Sequence, residues 1–182
     1  TTGDAKVAYA SMPFGWRVRN VTRDLVFIDQ RYVVLRDYVQ TSDPSHLSWL
    51  LHGEFAMGWH NIDQRARIEG EKAALTAVLA TPPLTWFADI TDEYPAPIDP
   101  RYRSKETYAW VTAEWRDHVS LNLTTREPAE IHEVFSVLWP EPDRYEVAQI
   151  EAHLNEAGQL VVHRPDGKID TITLNDDTLV IE

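Results

Sequence analysis

With 182 residues, 43% hydrophobic and 25% charged, the chain has the size and composition of an ordinary globular protein that can bury a sizeable core. Its 17 basic and 29 acidic side chains leave a formal net charge of −12, which argues against a nucleic-acid partner or a polybasic membrane anchor, since both need a basic face. The absence of cysteine removes disulfides, thiolate metal sites and cysteine nucleophiles, and no apolar run reaches the roughly 18 residues of a membrane span, so no membrane insertion is expected.

The segment Thr1–Ala10 lacks a basic stretch leading into an apolar one, and position 1 is not Met, which suggests a processed protein or an excised domain. The first clear unit is residues 20–39. Val21, Arg23, Leu25 and Phe27 alternate with Thr22, Asp24, Val26 and Ile28, Asp29-Gln30 interrupts, and Arg31 to Leu35 resumes the β-rich pattern. This reads as a hairpin. Thr41 to Ser45 is a turn cluster. His46 to His52 then returns to strand character, with Leu47, Trp49 and Leu51 on one face.

Glu71 to Ala80 has the composition of a helix, yet Leu75, Ala77 and Leu79 alternate with Thr76 and Val78. Bounded by Gly70 and Pro82-Pro83, it is read as a strand, and Leu84 to Phe87 is β-like. Three prolines and alternating charges make residues 91–106 a surface excursion. Tyr108–Arg116 and His118–Thr124 follow as strands. In Glu127–Trp139, Ile131, Val134, Phe135 and Leu138 fall at helical spacing. The β-branched and aromatic end before Pro140 favours a strand. Beyond it, Ala148, Ile150, Ala152 and Leu154 alternate with polar residues up to a turn at 155–158. Leu160–His163, a Pro165-Asp166-Gly167 turn, Ile169–Leu174 and Thr178–Ile181 complete a meander. The expectation is an all-β, antiparallel β-sandwich of about twelve short strands with little helix, one domain over residues 1–182, formed by two packed sheets.

Chemical motifs are sparse. With only seven glycines there is neither GxGxxG nor GxxxxGK(S/T), and no GxSxG elbow. The sequons at Asn20 and Asn122 fall inside strands and are read as chance. Of the seven histidines, His52 and His60 lie eight apart with Asp63 nearby, which is no tight ligand spacing. No metal, cofactor or catalytic residue is assigned. Trp16, Trp59 and Trp86 are the aromatics least fixed by alternation; they suit either core packing or stacking on sugar rings.

Charge is distributed unevenly. Residues 1–91 carry nine basic and ten acidic side chains, whereas residues 92–182 carry eight and nineteen, a net of −11. An anionic ligand would therefore meet the first half. There Arg65 and Arg67 alternate on one strand face near Trp59 and His60, and these four residues are the candidate glycan contacts. The plainer alternative is that both arginines point to solvent.

One ordered pattern carries a resemblance. Arg23-Asp24-Leu25-Val26-Phe27-Ile28, then Tyr32-Val33-Val34-Leu35-Arg36-Asp37, then Trp49-Leu50-Leu51-His52 resembles the β-sandwich portion of the heparinase II/III-like polysaccharide lyases. Leu75 to Pro82 and Phe135 to Pro140 look like that family's strand-then-proline segments, so the similarity spans roughly residues 19–142. It implies a piece of an enzyme that cleaves uronic-acid polysaccharides by β-elimination. In that family an N-terminal helical toroid carries Asn, His and Tyr, and the sandwich adds a His, often with a metal, from a segment that would precede residue 1. No family catalytic position falls on a numbered residue here. His52 matches the strand-end His of the pattern, which implies a structural role.

The implied partners are an anionic polysaccharide or oligosaccharide, met through the longer protein, and an N-terminal helical domain. The implied location is periplasmic or secreted. Two other readings stay open: a free-standing carbohydrate-binding module using exposed Trp, and a small independent carbohydrate-active enzyme.

Overall fold

The computed structural model describes residues 4–9, 17–53, 56–91, 119–174 and 179–181. Among them there is no helix, and fourteen strands form three antiparallel sheets. The strands are β1 (Asp4–Tyr9), β2 (Val18–Ile28), β3 (Tyr32–Ser45), β4 (Ser48–Gly53), β5 (Met57–His60), β6 (Arg65–Glu69) and β7 (Ala74–Leu79). They continue with β8 (Trp86–Thr91), β9 (Val119–Thr125), β10 (Ala129–Glu141), β11 (Glu151–Leu154), β12 (Leu160–His163), β13 (Ile169–Leu174) and β14 (Leu179–Ile181). The large sheet runs β1-β2-β3-β10-β7-β6-β5, the second β11-β12-β13-β14, and the third β4-β9-β8.

The all-β reading holds, with three corrections. Among the described residues there are fourteen strands where about twelve were expected, and β2, β3 and β10 are long, at 11, 14 and 13 residues. Three sheets stand where two were expected. Thr41–Ser45 does not end its strand: β3 runs through it, and the pairing with β10 jumps from Gln40↔Ile131 to Ser45↔Ala129. The turn residues there make a bulge, in which the Thr41 and Ser45 hydroxyls both donate to the Asp43 carbonyl, at 2.8 and 2.9 Å. Residues 92–106 of the expected excursion, and the expected strand Tyr108–Arg116, lie outside the described residues, as does His118 at the start of the next one.

The third sheet has a plain physical cause. The centre of the large sheet, at β7 and β10, is buried on both faces. Val26, Val34, Val78, Phe135 and Val137 pack against Ile150, Leu160, Val162 and Ile172 beneath the four-stranded sheet. Ala66, Ala77, Leu79 and Val134, from the opposite face, pack against Trp49, Trp86, Leu121 and Leu123 of the three-stranded sheet. A strand buried on both sides needs apolar residues at successive positions, so its period-2 signal disappears. That is why Ile131, Val134, Phe135 and Leu138 fall at a false helical spacing, and both segments, 71–80 and 127–139, hold strands as read: Val134, Phe135, Ser136 and Val137 are all buried.

Local turns follow the residue chemistry. The β2–β3 turn has positive φ at Asp29 (51°) and Gln30 (55°), with the Arg31 N–H bonded to the Ile28 carbonyl at 2.9 Å, the pattern of a type I′ turn, and Ile28 pairs with Tyr32, so residues 29–31 form the loop. The loops after β11 and β12 use one shared device, a turn closed by Gly158 (φ 75°) and Gly167 (φ 80°), where a side chain would be strained.

Candidate functional site

In the β5–β6 pair, His60 stands opposite Arg65, Trp59 opposite Ala66, and Gly58 opposite Arg67. Directly opposed residues share a face, so His60, Arg65 and Arg67 come together while Trp59 points the other way. Trp59 packs, half-buried, against the Trp49–Leu121 cluster. The two arginines tie residues 141–150 to the sheet. Arg65 donates from Nη2 to the Ile150 carbonyl at 2.6 Å. Arg67 donates from Nε to Glu141 Oε2 at 3.0 Å and from Nη2 to the Arg144 carbonyl at 2.6 Å, and it also pairs with Glu69. Glu141 is buried, and its other oxygen accepts from the Thr76 hydroxyl and the Ala148 N–H, at 2.8 and 2.9 Å. His60, 63% exposed, contacts Asp63 at 3.0 Å.

The other aromatic and histidine candidates are placed as follows. Trp86 is fully buried and donates its indole N–H to Thr81 at 3.0 Å, so of its two readings core packing holds. Trp16 lies outside the described residues. His52 sits on β4 and shares a 2.8 Å hydrogen bond with Ser120, its opposite neighbour on β9. His60 is on an edge strand of a different sheet. Among the described residues no three His, Asp or Glu side chains gather as a metal-ligating group.

A groove that sequence reading missed lies between the β2–β3 hairpin and β4, with a volume of about 480 Å³. That is within the size range of small-molecule sites. Val21 and Val39 form one wall, Leu47 and Leu50 the other, and an ion pair polarises it. Arg23 and Asp37 are directly opposed in the β2–β3 register. The guanidinium meets the carboxylate through two bonds, Nε–Oδ1 at 2.5 Å and Nη2–Oδ2 at 2.9 Å. Asp37 is buried and the Arg23 side chain is 53% exposed, so the pair faces the groove with both donors and acceptors. Such a pair over apolar walls suits a polyhydroxylated ring, whose hydroxyls both donate and accept while its C–H faces lie on aliphatic carbon. The hairpin signal alone does not give this pair: a two-residue turn at 29–30 would set 23 opposite 36, whereas Ile28 pairs with Tyr32, and the three-residue loop 29–31 brings Arg23 to Asp37.

Comparison with solved structures gives the fold a precedent. A heparan sulfate lyase, HepC from Pedobacter heparinus, matches with a TM-score of 0.63 at 11% identity, over 98% of this chain and 26% of that one. The chain shares its fold with part of a heparinase. A heparinase III, the BT4657 gene product, matches with a TM-score of 0.60 at 13% identity, over 91% of this chain and 27% of its own. The chain therefore spans about a quarter of the length of these lyases. No protein-family model and no curated protein sequence matches it. No helix among the described residues is long and apolar enough to cross a membrane.

Proposed function

We propose that this chain is the β-sandwich portion of a polysaccharide lyase of the heparinase kind, acting on uronic-acid polysaccharides and inactive by itself. The supporting observation is that nearly the whole chain takes the fold of about a quarter of heparan sulfate lyase HepC. In this reading it forms one wall of a glycan cleft in a longer, periplasmic or secreted protein whose helical domain supplies the other wall. β-Elimination needs a base for the proton beside the carboxylate and a group that neutralises the developing charge. The described tyrosines and histidines form no such constellation: the Tyr32 hydroxyl is bound to Asp170 at 2.6 Å, and His132 to the Ser45 carbonyl at 2.7 Å. The Arg23–Asp37 groove is the surface offered to sugar. Exposed His60 lies on the opposite face of the large sheet, beside Arg65 and Arg67, which hold Ile150 and Glu141.

The test is to incubate the chain with heparan sulfate oligosaccharides, measuring binding by calorimetry and turnover by the ultraviolet absorbance of the unsaturated product. No turnover by the chain alone is expected. In the full-length protein, Arg23→Ala should lower turnover at subsaturating substrate. Turnover by the chain alone would replace this reading with an independent enzyme, and tight binding without turnover would replace it with a carbohydrate-binding module.

A further inference from the structure

Six of the seven histidines lie among the described residues. Four are held in the fold: His46 by the Thr125 carbonyl at 2.7 Å, His52 by Ser120, His60 by Asp63 and His132 by Ser45. The remaining two, His153 and His163, meet each other. In the β11–β12 register His153 faces Val161 and Glu151 faces His163, so the histidines are diagonal neighbours on one face. The alternate residues Ala152 and Val162 pack into the core, which leaves the imidazoles on the outer surface of the sheet. Their rings stack with centroids 5.7 Å apart and planes 22° apart.

We propose that His153 and His163 form a binding site for a borderline divalent transition-metal ion, with Zn²⁺ the ion to test. Neutral imidazole nitrogen is a preferred ligand of such ions. Two imidazoles sharing one zinc at about 2.0–2.1 Å have ring centroids roughly 5–6 Å apart, which the backbone here already provides. Stacked rings aim their nitrogens side by side, so binding needs a rotation of each ring about Cβ–Cγ, and no movement of the strands. The two imidazoles are the protein's ligands, since no third His, Asp or Glu gathers with them among the described residues, and water completes an open coordination shell. The field favours a cation, because residues 92–182 carry a net charge of −11. The ion would staple β11, an edge strand of its sheet, to β12. The site shares no residue with the Arg23–Asp37 groove.

The experiment is a calorimetric titration of the chain with Zn²⁺ near neutral pH, alongside ¹H–¹⁵N correlations of the imidazole rings. One-to-one binding is expected, with the rings of His153 and His163 shifting together. His153→Ala and His163→Ala should each weaken binding by at least about ten-fold, the order seen for lost metal-site interactions. Acidification should weaken it too, because protons compete for the same nitrogens. His153→Gln and His163→Gln provide a second pair that preserves side-chain bulk on the surface. Absence of binding at millimolar Zn²⁺ would overturn the proposal. So would wild-type affinity in the double variant, which would move the ion elsewhere, His60 with Asp63 being the next pair to test.

Discussion

Replacing Arg164 by Met should destabilise the protein more than any other single charge removal on the β12–β13 hairpin. The Arg164 side chain is 2% exposed and is surrounded by three carboxylates. Nη1 lies 3.1 Å from Asp29 and 3.3 Å from Asp170, and Nη2 lies 3.0 Å from Asp166. Asp29 belongs to the β2–β3 turn, so this guanidinium joins the large sheet to the four-stranded one. Removing one member of a buried ion pair costs about 3–5 kcal/mol, because it strands the partner charge. Here Asp29 and Asp166 are 63% and 32% exposed and keep water, so only Asp170, at 14%, is stranded. Asp170 also retains the Tyr32 hydroxyl at 2.6 Å. The loss should therefore fall at the lower end, about 3 kcal/mol. In a domain of this size that lowers Tm by roughly 6–12 °C. Urea denaturation followed by far-ultraviolet circular dichroism measures it, and a cycle with Asp170→Asn should show strong coupling. A variant within about 0.5 kcal/mol of wild type, the range of ordinary surface substitutions, would refute the clamp.

Three further outcomes follow from the same region and from one strained turn. Burial alone would raise the Asp166 carboxyl, but the Lys168 N–H and the charges of Arg164, Arg31 and Lys168 outweigh it and hold the group below its ordinary value. Its stabilising contribution is thus complete above the ordinary aspartate pKa of about 3.9 and is lost as pH falls through the lower folded value. Asp166→Asn should flatten the stability–pH curve there, and an unchanged acid slope would contradict this. Burial, and the hydrogen bond to Asp170, push the Tyr32 hydroxyl well above the usual tyrosine range. Its contribution is complete below about pH 10 and is lost as pH rises through the folded value, so Tyr32→Phe should reduce the alkaline loss of stability. An ultraviolet titration in which every tyrosine ionises normally before unfolding would count against it. Leu84 holds φ 65° in the Pro82–Thr85 turn with its side chain 50% exposed, a backbone region that costs a non-glycine residue about 1–2 kcal/mol. Leu84→Gly should raise stability by about 1 kcal/mol in chemical denaturation; a loss would mean that the leucine side chain packs usefully.

Strand identity was legible wherever one face of a strand meets solvent. The β2 alternation, the 29–30 turn and the Pro165-Asp166-Gly167 turn each name their own geometry locally, because side-chain parity and φ preference act within a few residues. The Arg23–Asp37 pairing was not legible in the same way, because a two-residue turn at 29–30 would have set Arg23 opposite Arg36, and the extra loop residue, Arg31, shifts the register by one. By the same parity Trp59 and His60, being adjacent on a strand, had to face opposite ways. What composition and alternation could not show was the third sheet. Whether Ala74–Leu79 and Val134–Val137 are helix or doubly buried strand depends on what covers each face, and the covering residues, Trp49 and Leu121 on one side and Leu160 and Ile172 on the other, are distant in sequence. The fate of the arginines was hidden for the same reason. Arg67 finds Glu141 74 positions away and Arg164 finds Asp29 135 positions away. Such partners are set by how the sheets stack, and buried guanidinium groups then take the nearest carboxylate or carbonyl because leaving them unpaired is costly.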